Sequence, residues 1–426
     1  MRTKEDILEQ IEAEGVEFIR LQFTDLLGIL KNVAVTPSQF DRIMAGRFAF
    51  EGNALFNNLS VYEGYLYLKP DMDSFVILPW RPQTGKVAKM ICDVTYEDGT
   101  PFEMSSRRVL ANVVNELAQK GYTAVIDPQC EFFLFHTDEH GNPTTVTHEQ
   151  AGYMDVGPTD FGENARREIV LNLEEMGFTV RSSHHEKAPG QHEVDFIGGE
   201  TLRTADDIES FRFAVRSISK RFGLHATFMP MPLQGQPGSG MHLDITLYKN
   251  GQNVFASEGE NLSKEALAFM GGVMKHMKAL CAFTNPTVNS YKRLLTGDDA
   301  PHVIDWDTKG EGSSIKLHVR KENSRVELRF PDPSANPYLA LALCLKAGVD
   351  GIEKGLNAGK KTGDKKVESL PENLKEAVEA ARKDTLIRNT MGAEFLDIYL
   401  MQKSSEWARY MRQVSDWEIE RYLVRL

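Results

Sequence analysis

HHEKAPGQHEVDF, residues 184–196, places two glutamates, Glu186 and Glu193, on either side of a Pro-Gly break. The second lies in an alternating run, where Glu193 and Asp195 share one face and Val194 and Phe196 the other. Three further segments have the same form. In RVELRF, Arg325, Glu327 and Arg329 oppose Val326, Leu328 and Phe330; in MHLDIT, His242, Asp244 and Thr246 oppose Met241, Leu243 and Ile245. In CEFFLF, Glu131 shares its face with Phe133 and Phe135, which predicts a lone carboxylate among aromatic rings. Isolated buried carboxylates are costly and find a proton, a base or a metal. A sheet with one solvated face explains a single such segment. Four of them, each bringing Glu or His, predict a shared oxygen-rich cavity. Carboxylates with one imidazole suit Mg2+ or Mn2+ better than zinc or copper. Arginines close by fit phosphoryl transfer from a nucleotide.

The rest of the chain frames that cavity. At 426 residues it exceeds one ordinary domain. Strand-like runs (VEFIRLQFTDLLGILKNVAVT as a hairpin, then YLYL, SFVILPW and KVAKMICDV) predict a small β-rich domain over residues 1–100. Asp98-Gly99-Thr100-Pro101 marks a boundary, and helices and strands interleave over 101–426. Helical spacing is read at 4–15, 107–121, 164–178, 205–223, 263–283 and 336–356, with a basic loop at 357–369 and two helices closing the chain. The net charge of -12 argues against nucleic-acid binding. Four scattered cysteines without a CxxC pair fit reduced thiols. The N-terminus has no signal-peptide core, and no apolar run reaches the ~18–20 residues that span a bilayer, so a cytoplasmic protein without membrane contact is expected. No P-loop is present, and GQPGSGMH (235–242) fits neither the Walker nor the Rossmann pattern. A nucleotide site must therefore belong to another fold.

The ordered set FTDLLGILKNV, HHEKAPGQHEVDF, GLHATFMP, GSGMH, TNPTVNSYKRL and RVELRFPDPSANPYLA resembles bacterial type I glutamine synthetase through nearly the whole chain. The resemblance implies an α+β fold: a small N-terminal β-grasp domain, then a large C-terminal catalytic domain with a curved antiparallel sheet flanked by helices. It implies a homo-oligomer of two stacked six-membered rings, a dodecamer, with active sites between subunits. Two or three Mg2+ or Mn2+ ions per site and ATP as a substrate come with it. By position, Glu131, Glu186 and Glu193 match ligands of the first metal, and His242 and Glu327 match ligands of the second. Arg293 and Gly238 match the glutamate site, Arg329 the arginine that steers the transferred phosphate, and Tyr153 the ammonium pocket. Phe196, Asp244, Thr246 and Arg325 fall in the nucleotide region. The implied reaction phosphorylates the γ-carboxylate of glutamate, after which an amine displaces phosphate.

Departures from the family pattern cluster in the site. A second-metal glutamate is replaced by Gln129, a neutral and weaker ligand for a hard cation. The family's Phe-Asp-Gly-Ser-Ser reads Phe50-Glu51-Gly52-Asn53-Ala54, and its flap glutamate reads Asp299, so both catalytic acids persist with exchanged lengths. Glu311 stands in place of an arginine near the phosphates, and Lys316 in place of another, keeping the charge without the bidentate fork; Arg320 is the alternative if the alignment slips. Pro237 replaces an asparagine that meets the amino acid, and the region after 356 lacks the adenylylation loop. Three readings follow: a glutamine-forming enzyme, a ligase that joins glutamate to an organic amine, and a catalytically weak homologue with a binding role.

Overall fold

The computed structural model describes residues 2–81, 84–257, 262–296, 300–310, 312–359, 361 and 367–426. A helix at Lys4–Glu14 opens on a Thr3–Asp6 capping box and closes at Gly15. The expected hairpin follows as β1 (Val16–Thr24) and β2 (Leu30–Val35), antiparallel, with Ile19 opposite Val35. The buried carboxylate of Asp25 ties its turn by accepting the N–H groups of Leu27 and Ile29. Strands β3 (Phe48–Glu51), β4 (Tyr65–Pro70), β5 (Val76–Ile77) and β6 (Lys86–Thr95) complete a sheet of order β2-β1-β6-β4-β3, with β5 on β6. The β1–β6 pair is parallel. This is the β-grasp unit. SFVILPW, read as a full strand, supplies only the two residues of β5. A 3-10 turn at Met72–Ser74 precedes it, and Pro79, with no N–H to donate, follows.

The larger sheet runs through β7 (Tyr122–His136), β8 (Thr179–His185), β9 (Gln191–Ile197), β10 (Gly199–Glu200), β11 (Leu224–Thr227), β12 (Met241–Lys249), β13 (Gln252–Asn253), β14 (Trp306–Asp307), β15 (Ile315–His318) and β16 (Arg325–Leu328). Its order is β14-β15-β16-β12-β7-β9-β8, antiparallel apart from β14–β15. The apolar sides of the alternating segments form its back: Phe132, Val194, Phe196, Leu243, Val326 and Leu328 are all buried. Helix Thr201–Ser219 packs there, with Phe211 against Phe132 and Phe196.

The apolar helix Pro337–Glu353 lies in the interior against Lys264–Thr284. A Cβ on Gly272 would stand 2.1 Å from the Ala347 carbonyl oxygen, so only glycine allows this crossing. The chain closes with four helices, Leu374–Lys383, Thr385–Met391, Ala393–Tyr410 and Asp416–Tyr422, rather than the two expected. Asp384 caps the second through the N–H groups of Leu386 and Ile387, and Gly392 at φ 83° breaks the chain before the third. Residues 360 and 362–366 of the basic 357–369 stretch lie outside the described residues. Among the described residues, no helix is long and apolar enough to cross a membrane.

Arg107, at the start of helix Ser106–Gln119, joins the two sheets. Its guanidinium reaches Asp71 at 2.7 Å and Asp93 from the β-grasp side, and Asp206 at 2.8 Å from the catalytic side. Tyr338 donates its hydroxyl to the same Asp206 at 2.8 Å. Removing the cation would leave Asp206 buried and unbalanced. Arg107→Met is therefore expected to lower stability by about 3–5 kcal/mol in equilibrium urea unfolding. A loss below ~1 kcal/mol would show that the network contributes little.

Candidate active site

Cross-strand register carries the polar faces into three rows. His184, Glu193 and Glu131 align across β8, β9 and β7; Asp195, Gln129 and His242 across β9, β7 and β12; Asp244, Glu327 and Lys316 across β12, β16 and β15. All of these but Asp195 and Asp244 border a cavity of about 530 Å³, which Tyr153, Lys187, Gly238, Arg293, Lys309 and Arg329 help to line.

One end is anionic. Glu186, in the turn after β8, lies 2.7 Å from His184 Nε2, and Glu193 lies 3.8 Å from the same nitrogen. Glu131 accepts from Gln191 Nε2 at 2.8 Å and from the Gly240 N–H at 3.0 Å. Burial, then the charge of Glu186, pushes the Glu131 carboxyl up to about 7. Burial, then Glu131, Asp195 and Glu186, pushes Glu193 up to about 11. The hydrogen bond to Glu186 raises His184. Oxygen donors this crowded hold protons at neutral pH unless a cation replaces them. The set fits a hard divalent ion.

The other end is balanced differently. Glu327 meets His242 Nδ1 at 3.1 Å, His318 Nε2 at 2.6 Å and Arg329 Nε at 3.3 Å. Burial pushes the Glu327 carboxyl up, but hydrogen bonds from His242 and His318 outweigh it and hold it well below the carboxylate range. Gln129 sits opposite His242 as a neutral amide. His242, Glu327 and Gln129 can still offer one nitrogen and two oxygens to a second cation. Between the ends, buried Arg293 donates to the carbonyl oxygens of Arg329 and Phe330. Gly238 closes against Pro230, where a Cβ would stand 2.3 Å from its carbonyl oxygen.

Residues 103–422 match the glutamine synthetase catalytic domain, and 15–97 the glutamine synthetase β-grasp domain. The chain belongs to the glutamine synthetase family. Glutamine synthetase of Clostridium saccharobutylicum is 46% identical over 99% of this chain and 98% of its own length. That of Thermus thermophilus is 43% identical over 99% of each. A solved GmaS/ADP complex superposes with a TM-score of 0.90 at 31% identity, covering 98% of this chain and 99% of that one. Apo GmaS without ligand gives 0.89 at 31%, covering 99% and 100%. As a member of the glutamine synthetase family this chain is an ATP-dependent glutamate ligase, and the family uses divalent metals.

The family positions read from sequence are only partly gathered here. Gln129, Glu131, Tyr153, Glu186, Glu193, Gly238, His242, Arg293, Glu327 and Arg329 line the one cavity, with Pro237 and Lys316. Phe196 does not: it points to the opposite face and packs on Phe178 and Phe211, so its ring cannot meet a nucleotide in the cavity. The Asp244 carboxylate, also assigned to the nucleotide, is buried and engaged by Arg325 Nε at 2.7 Å. Arg325 and Thr246 lie outside the cavity lining. Glu131 is not a lone carboxylate among aromatics, since it has two hydrogen-bond donors, and Phe133 and Phe135 cluster with Ala188. Glu51, exposed at the end of β3, is not at this chain's own cavity. Arg320 is exposed beyond β15 and outside the lining, whereas Lys316 lines the cavity. Asp299 and Glu311 lie outside the described residues.

Sequence reading missed His184, His318 and Gln191. His184 stood in the opening segment, two residues before Glu186, and His318 alternates with Lys316 in IKLH. Cross-strand register brings His184 near Glu193 and His318 onto Glu327.

The raised carboxyls set a pH test. In metal-free protein their stabilising effect is complete below the unfolded value of about 4.3. It is lost as pH rises through about 7 for Glu131 and on toward about 11 for Glu193. Thermal melts in EDTA are expected to show Tm falling between pH ~5 and ~8, and saturating Mn2+ to flatten that fall. An Mn2+ effect of equal size at every pH would show that the ion displaces no proton.

Proposed function

We propose that this ligase joins the γ-carboxylate of glutamate to ammonia at the expense of ATP. The γ-carboxylate oxygen attacks the terminal phosphorus of ATP and releases ADP. Ammonia then attacks the acyl carbon of the resulting γ-glutamyl phosphate, phosphate leaves, and a carboxylate takes the proton. The polarity of this cavity carries the reading, with three carboxylates at one end and Glu327 with His242, His318 and Arg329 at the other. In it, Glu131, Glu186 and Glu193 hold one divalent cation, Mg2+ or Mn2+, and His242, Glu327 and Gln129 a second. Bound there, such ions would offset charge on the glutamate carboxylate and the ATP phosphates.

Arg293 and Gly238 take the glutamate, and Arg329, helped by Lys316, faces the transferred phosphoryl group. Tyr153, Asp299 and Glu51 serve the ammonium side. Because Glu51 is exposed and away from its own cavity, it supports a homo-oligomeric ring, in the dodecameric form of the family, in which a neighbouring subunit's cavity receives it. A cytoplasmic location belongs to the same reading.

A second reading replaces ammonia with an organic amine. Asn53 favours it: its side-chain oxygen is taken by the N–H groups of Val61 and Tyr62, and Ala54 follows, so this segment brings no free hydroxyl beside Glu51. Tyr153, 51% exposed, leaves room on the same side.

Phosphate release with ATP, Mg2+ and glutamate, run against ammonium and a panel of amines, separates the readings. Release with ammonium at or above the rate of every amine is expected. Release with an alkylamine alone would replace the first reading with the second, and no release with any acceptor would overturn both. Gln129→Glu is expected to tighten the second metal and raise turnover several-fold, since a carboxylate replaces an amide on a hard cation. Unchanged Mg2+ dependence in that variant would remove residue 129 from the ligand set.

A further inference from the structure

Behind the anionic end of the cavity lies a second polar cluster, fully inside the protein: Glu149, Asp160, Arg166, His185 and His192 are all buried. His185 and His192 belong to the hairpin that carries Glu186 and Glu193, but their side chains form a separate group. His185 Nδ1 faces the carbonyl oxygens of Glu186 at 2.6 Å and Gly152 at 3.1 Å, and its Nε2 faces Glu149 Oε1 at 2.9 Å. The other oxygen of Glu149 accepts the N–H groups of Phe161 at 3.0 Å and Gly162 at 3.2 Å. Arg166 donates to His192 Nδ1 at 2.8 Å and pairs with Asp160 at 2.7 Å. The Met154 N–H donates to the His185 carbonyl oxygen at 3.0 Å.

The four side chains Glu149, Asp160, His185 and His192 are close enough to hold a metal. The hydrogen bonds favour a different use. Arg166 can only donate, so His192 Nδ1 is an acceptor and its Nε2 carries the hydrogen. A nitrogen in that state is no ligand. The Nε2 instead points toward Glu149 Oε1, 3.8 Å away. Two carboxylates therefore meet one guanidinium and two imidazoles: one oxygen of Glu149 holds the end of a single loop and the other meets His185, while Asp160 pairs with Arg166 by charge.

That loop, residues 149–162, carries Tyr153, whose ring meets His184 edge-on at 5.5 Å. It touches the metal-carboxylate hairpin on one side and the start of helix Glu163–Glu175, which holds Arg166, on the other. From this geometry we infer that Glu149, with His185, His192, Arg166 and Asp160, is a positioning clamp that locks the Tyr153 loop onto the Glu186–Glu193 hairpin and so sets the acceptor side of the cavity. The assignment to the acceptor side rests on the function proposed above. The clamp itself does not. Glu149 touches no substrate in this scheme. The hydrogen-bonded part of the network, Glu149 with His185, Phe161 and Gly162, is what joins loop to hairpin; among the described residues, His192 Nε2 and the Asp160 oxygens have no hydrogen-bond partner.

The test uses Glu149→Ala and Glu149→Gln in the full-length protein. Hydrogen–deuterium exchange at Phe161 and Gly162 is expected to quicken at least tenfold in Glu149→Ala. It should recover in part in Glu149→Gln, whose amide oxygen can still accept those N–H groups. With the acceptor that the unmodified protein uses, KM for that acceptor is expected to rise about tenfold in Glu149→Ala while KM for ATP stays within twofold. Unchanged exchange at these amides would overturn the clamp. A parallel rise in both KM values would overturn its link to the acceptor and leave general loosening as the explanation. If the unmodified protein turns over no acceptor, the functional reading fails, and exchange at Phe161 and Gly162 alone decides whether the clamp exists.

Discussion

Three carboxylates packed at one end of a cavity repel one another, and much of this structure serves to keep Glu131, Glu186 and Glu193 together nonetheless. Burial removes the water that would screen them, so each disfavours the charge on the next. Glu131 is restrained by Gln191 and by the Gly240 N–H, while the apolar back of the same strands is sealed by Phe132, Val194, Phe196 and Phe211. A site built this way is unfavourable without a cation and well formed with one. Such stored electrostatic strain is common where a fold is built to bind an ion.

The two ends of the cavity treat charge in opposite ways. Around Glu327, His242, His318 and Arg329 supply the positive partners, and Gln129 contributes none of the negative charge that a carboxylate there would bring. Less negative charge accumulates at that end than at the other. Around Glu131, Glu186 and Glu193 the demand for a positive partner is stronger.

Much of this was readable beforehand because β alternation is a local property. The apolar and polar faces of RVELRF, MHLDIT and HEVDF follow from period two alone, and each forms its strand with that facing. Elsewhere, readable patterns misled. SFVILPW has the composition of a strand, yet a preceding 3-10 turn and Pro79 confine it to two residues. The C-terminal helices read as two because Asp384 and Gly392 interrupt a pattern that hydrophobic spacing alone continues across. Phe196 was assigned to a nucleotide by family position, although its own alternation already turned it away from Glu193.

The amino-acid sequence by itself determined which residues share a face and which family motifs occur in order. These depend on neighbours two to four positions away and on ordered motifs that need no coordinates. Tertiary structure alone decided which faces meet. It set His184 near Glu193, put His318 on Glu327, engaged Asp244 with Arg325, and gathered Glu149, Arg166 and His192 behind the hairpin. Those pairings depend on strand register and on loop closure across tens of residues, and a one-residue slip in register would reverse each of the strand-borne contacts.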